Sequence, residues 1–99
     1  MGYYVSMNRN KKDEINDLAC FMANLKNKRE ITDFIVEILT QAELETLSKR
    51  WRILNMLVEG ETQRDIAQKL QVSLCKVTRG SKILKNKNSI VAKYLIKEK

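Results

Sequence analysis

The chain has 99 residues, a net charge of +7 and 43% hydrophobic residues, with three glycines and neither proline nor histidine. That length predicts a single domain on the usual ~100–200 residues per domain, and so few turn-forming residues disfavour both a β-sandwich and a disordered chain. The missing histidines and two isolated cysteines exclude zinc-finger sites and histidine acid–base catalysis, and no run approaches the ~18 apolar residues of a membrane-spanning helix. What remains is a small, basic, helical domain, expected in the cytoplasm.

In chain order, residues 1–12 read as a loose arm carrying Arg9, Lys11 and Lys12. Gly2 and Ser6 match the short N-myristoylation pattern, but two tyrosines follow the glycine and an unstructured extension is expected instead. From Asp13 the spacing turns helical, with Ile15, Leu18, Phe21, Met22 and Leu25 on one face. Ile31, Phe34, Ile35, Val36, Ile38 and Leu39 form a second run that is apolar nearly all round, broken by Asp33 and Glu37. Such a helix must be buried on several sides, and a chain this short has little mass to cover it, so a second subunit is expected. Thr40 with Glu43 three residues later forms the capping-box pattern of a third helix. Its predicted buried stripe is Leu44, Leu47, Trp51, Leu54 and Val58, with Trp51 as core rather than a base-stacking platform, and Gly60 is the expected stop.

Thr62 opens a fourth helix through Ile66, Ala67 and Leu70. A break at Gln71-Val72-Ser73 precedes a fifth helix that Ser73 can cap, and Lys85-Asn86-Lys87-Asn88-Ser89 connects to a last amphipathic helix with Ile90, Val91, Tyr94 and Leu95. Cys20 and Cys75 lie 55 residues apart, in no metal-binding or redox spacing, which fits a reducing compartment. Charge is unevenly placed. Residues 1–61 hold 9 Lys/Arg against 10 Asp/Glu, whereas residues 62–99 hold 10 against 2, a local net of +8. A polyanion partner is the direct reading of that asymmetry.

The basic segment contains a helix-turn-helix pattern, about residues 62–84. Ala67 is small where two helices cross, Ile66, Leu70, Val72 and Val77 fill the space between them, and the three-residue break turns the second helix across the first. Leu74, Cys75, Lys76, Thr78 and Arg79 then face outward, a set able to meet phosphates, guanine edges and thymine methyls. Gln71 stands where many such turns have glycine, and Gly80 where an apolar residue is usual.

Leu39-Thr40, Glu43, Leu47, Arg50-x-Arg52-Ile53, Gly60-Glu61, Gln63-Arg64 and Thr78-Arg79-Gly80-Ser81 together resemble the tryptophan repressor family, over roughly residues 39–85. The resemblance implies an all-α, intertwined homodimer of about six helices that binds operator DNA when charged with L-tryptophan as a non-covalent corepressor. By position it implies that Arg50 and Arg79 flank the indole, that Gly80 lets the ligand approach the helix, and that Leu39 and Thr40 close the pocket from the partner chain. Gln63 and Arg64 would touch the operator from the first helix of the motif, and Leu74, Cys75, Lys76 and Thr78 would face the groove from the second. No metal is implied. The chain departs from the family in having one residue fewer between Glu61 and Gln63, in Lys76 and Cys75 at Thr and Ala positions, in Ile83 for a polar serine near the ligand amino group, and in Glu37 for an apolar pocket residue. Two other functions fit the pattern: a constitutive helix-turn-helix DNA-binding protein without effector, and a helical protein-interaction module whose basic face meets an acidic protein. Salt-dependent binding to duplex DNA separates the first of these from the second. Without histidine, metal cluster or Gly-rich phosphate loop, an enzyme is not expected.

Overall fold

A computed structural model describes residues 11–97. The described residues form six helices and no strand: α1 (Lys11–Ala23), α2 (Lys28–Ile38), α3 (Gln41–Val58), α4 (Gln63–Leu70), α5 (Leu74–Lys85) and α6 (Ile90–Lys97). The chain divides into two compact units, one ending at Thr40 and the other beginning at Gln41. No described helix is long and apolar enough to cross a membrane.

The first unit holds α1 and α2. The former begins at Lys11, so Lys11 and Lys12 of the predicted arm are helical, while the rest of that arm, with Gly2, Ser6 and Arg9, lies outside the described residues. Asn27, which apolar periodicity does not reveal, caps α2: its side-chain carbonyl accepts from the Glu30 N–H at 2.9 Å, and the Glu30 carboxylate accepts from the Lys26 N–H at 2.8 Å. Phe21 and Phe34 pair across the unit with ring centroids 4.9 Å apart. Burial departs from expectation here. Neither helix contains a buried residue, and Ile15, Phe21, Val36 and Ile38 are all more than half exposed. In the run 31–39, Phe34, Ile35 and Leu39 are half-buried, whereas Ile31, Val36 and Ile38 are exposed.

In the second unit the local signals act where the sequence places them. The helix α3 begins directly after Thr40, and Gly60 ends the following turn at φ +96°. Thr62 caps α4 by accepting from the Asp65 N–H at 3.1 Å, and Ser73 caps α5 by accepting from the Lys76 N–H at 3.4 Å. The Asn86 side chain closes the connector by accepting from the Asn88 N–H at 2.8 Å, and the Ser89 hydroxyl starts α6 by accepting from the Ala92 N–H at 3.0 Å. At the end of α4, Gln71 adopts the left-handed conformation (φ +55°) in which a side chain is disfavoured. Gln71→Gly relieves that conformation at the cost of a more flexible unfolded chain, so a net gain of about 0.5–1 kcal/mol in urea unfolding is expected; a loss of stability would show that the Gln71 side chain makes compensating contacts.

Ile53, Met56, Ile66, Leu70 and Val77 form the core, with Leu57, Ala67 and Val72 against it. This cluster fixes α4 and α5 against α3, and α6 packs on α5 and α3. The stripe predicted for α3 is corrected: Leu54 is buried, Leu44 and Val58 are half-buried, but Leu47 and Trp51 are exposed, Trp51 by 52%. The physical reason is that α3 carries two apolar stripes, and the one through Ile53 and Met56 is turned toward α4 and α5. An ion pair between Glu61 and Lys69 at 2.8 Å ties the entry of α4 to its last turn. The hydrogen bond and charge of Glu61 hold the Lys69 ammonium above the usual lysine range. The pair's contribution is therefore present at neutral pH and lost only as pH rises through that raised value.

Candidate nucleic-acid interface

The helix-turn-helix is α4, the turn at 71–73 and α5, locked by Ile66, Leu70 and Val77 beneath it. Arg64 is exposed in the first turn of α4. Leu74, Cys75 and Lys76 are exposed in the first turn of α5, where the Ser73 cap anchors the backbone. No acidic residue occupies that turn, so nothing there opposes an approaching phosphate. Gln63 and Thr78 are half-buried and bonded to each other, the Thr78 hydroxyl donating to the Gln63 side-chain carbonyl at 2.9 Å. The bond joins the start of α4 to the middle of α5 and leaves the Gln63 amide N–H groups as its free donors. Both cysteines are free and exposed.

Beside this face lies a cleft of about 90 Å³ between α3 and α5, lined by Arg50, Ile53, Leu54, Lys76, Arg79, Gly80 and Ile83. It brings together Arg50, Arg79 and Gly80, three of the five residues that the resemblance assigns to a ligand. Leu39, the half-buried residue that ends α2, and exposed Thr40 belong to the first unit. Glu37 is exposed on α2 in the same unit. The volume falls below the ~300–1,000 Å³ usual for small-molecule sites, as a cleft walled by only two helices of one chain would. Sequence reasoning places Lys76 on the groove-facing side and overlooks Ile53 and Leu54. The spacing nonetheless carries the signal: 76, 79, 80 and 83 share one face of α5, and 50, 53 and 54 one face of α3.

Gly80 has a packing reason for its missing side chain. A Cβ there would lie 2.9 Å from Ile53 Cγ2 and 3.3 Å from Leu57 Cδ1, so a larger residue would push α5 away from α3. Gly80→Ala should therefore lose stability despite the ~1 kcal/mol that alanine gains in a helix, because overpacking costs about 1–3 kcal/mol. Urea unfolding checks this, and a stabilised variant would mean that the two helices separate freely.

Comparison with known proteins follows the same lines. The family model for Trp repressor protein matches residues 13–99. A Trp operon repressor homolog of Chlamydia trachomatis is 34% identical over 77 residues, covering 77% of this chain and 82% of the relative. Another from Chlamydia caviae is 41% identical over 64 residues, 64% of this chain and 63% of the relative. One from Xylella fastidiosa is 46% identical over 52 residues, 52% of this chain and 56% of the relative. No solved structure gives a significant match.

Proposed function

The chain belongs to the Trp repressor protein family, a family of transcription regulators rather than enzymes, and on that premise we propose that it is a homodimeric transcriptional repressor whose grip on operator DNA responds to L-tryptophan or a related planar effector. The observation that supports it most is the convergence of Arg50, Arg79 and Gly80 on one cleft directly behind the helix-turn-helix. A ligand lodged there bears on α5 from its α3 side, next to the contact of Gly80 with Ile53, and so on the angle at which Leu74, Cys75, Lys76 and Thr78 meet the groove. Two guanidinium groups suit the faces of an indole, each contact contributing ~0.5–2 kcal/mol according to its desolvation. Gln63 and Arg64 engage the operator from α4.

The exposed apolar surface supports the dimer. Ile15, Phe21, Val36, Ile38, Trp51, Ile90 and Tyr94 are each more than half exposed in the single chain, more than a monomer usually leaves in water. Sedimentation should find a particle of twice the 11.6 kDa chain mass; a folded monomer persisting at nanomolar concentration would exclude the dimer. Two-fold symmetry places the recognition helices about 34–36 Å apart and favours a palindromic site. The DNA function itself is tested by duplex binding across a salt series. Affinity that falls steeply with salt and prefers duplex of one sequence supports it, whereas binding only to acidic protein would point to an interaction module.

A further inference from the structure

We propose that Thr78 is a positioning residue of the DNA interface: it holds the Gln63 side-chain amide with its N–H groups turned outward, so that Gln63 donates to a backbone phosphate of the duplex. The inference rests on the reading of α4 and α5 as that interface. Gln63 opens α4, and by helical spacing it shares a face with Ile66, Ala67 and Leu70, which pack in the core. A polar side chain at the rim of an apolar cluster needs a partner. The partner lies fifteen residues on, where the Thr78 hydroxyl in the middle of α5 donates to the Gln63 carbonyl at 2.9 Å. Ile66, one turn after Gln63, and Val77, next to Thr78, are both fully buried, so each end of the bond stands on a fixed base.

The hydrogen count gives this bond a direction. A threonine hydroxyl carries one hydrogen, and here it goes to Gln63. Thr78 therefore has no hydrogen left to donate to a base or a phosphate, although it stands on the helix expected in the groove. Gln63, its carbonyl engaged, presents its amide N–H groups as donors. The reverse orientation would turn that carbonyl toward the phosphates, acceptor facing acceptor, so the duplex favours the orientation that Thr78 already holds. A phosphate is the acceptor within reach because the first helix of such a motif crosses the backbone while the second enters the groove. Arg64 beside it is exposed and adds positive charge, and Asp65, two positions from Gln63, does not share its face. Ordering the glutamine before the duplex arrives spares the entropy of ordering it on binding, worth about threefold in affinity.

Affinity is measured for a duplex that the full chain selects from a random-sequence pool in the presence of L-tryptophan, and for the single-base-pair variants of that duplex. Gln63→Met removes the donors and should weaken binding about tenfold. The loss should be alike for every variant duplex and leave the salt slope unchanged, because glutamine carries no charge. Thr78→Val should weaken binding about threefold, Thr78→Ser should restore it, and Thr78→Val added to Gln63→Met should have no further effect. Thr78→Ala serves as a second variant without the hydroxyl, and circular dichroism checks the fold of each. Without DNA, NMR relaxation should find the Gln63 side-chain amide ordered in the parent and in Thr78→Ser, and mobile in Thr78→Val. A loss from Thr78→Val that persists in full beside Gln63→Met, or that is confined to one base pair, makes Thr78 a direct contact. That result, or an amide equally ordered in Thr78→Val, overturns the inference and leaves the interface standing. A chain that selects no duplex removes the interface and the inference with it.

Discussion

Ile66→Ala will destabilise the fold by about 2–5 kcal/mol, the range for removing a large aliphatic side chain from a packed interior. Ile66 and Val77 are both fully buried, one on each helix of the motif, and Ile53 and Met56 of α3 complete the cluster around them. Truncation at Ile66 leaves a cavity where α4 meets α5, with little surrounding structure to collapse into it. Urea unfolding at a fixed protein concentration measures the loss, since the stability of a dimer varies with concentration. A loss under ~1 kcal/mol would mean that the two helices are held together by something other than this cluster. The same variant should weaken DNA binding because, of the α4 anchors beneath α5, only Leu70 would remain.

Lys76→Ala and Arg64→Ala should both weaken DNA binding, in distinguishable ways. Lys76 is exposed in the first turn of α5, where side chains reach base edges. Its loss should cost about 1–3 kcal/mol at one base position and relax the preference there. Arg64 is exposed at the start of α4, and on the proposed reading it meets the phosphate backbone. Its loss should weaken binding to all sequences alike and lower the slope of log K against log salt by about 1. Affinity unchanged in both variants would remove α4 and α5 from the interface.

The parts of this fold that the sequence makes legible are those with local causes. Thr62, Ser73 and Gly60 mark helix boundaries through backbone groups a few residues away, and the break at 71–73 falls where expected. Lys11 and Lys12 extend α1 unannounced because apolar periodicity registers only the residues that repeat hydrophobically. The Asn27 cap was readable from Glu30 three residues on, but the first apolar residue of the run, Ile31, lies beyond both. The α3 stripe fails for a different reason: periodicity shows that Leu47 and Trp51 share an apolar face, not whether the same chain covers it. At the site, the grouping of Arg50, Arg79 and Gly80 was accessible through family resemblance. The contact of Gly80 with Ile53 and the bond between Thr78 and Gln63 depend on how α5 crosses its neighbours, which no local pattern encodes.

Operator affinity with and without saturating effector, in the parent chain and in Arg79→Leu, decides whether this chain is a ligand-controlled repressor. An effector shifts DNA binding only through its different affinities for the two states of the protein, and such coupling typically spans ~5–150-fold. With L-tryptophan and 3-indolepropionate each tried at saturation, at least one should change operator affinity tenfold or more in the parent, and Arg79→Leu should abolish the change. Equal affinity in the parent with and without either compound would make the chain a constitutive DNA-binding protein, and a response that survives intact in Arg79→Leu would place the effector outside the cleft of Arg50, Arg79 and Gly80.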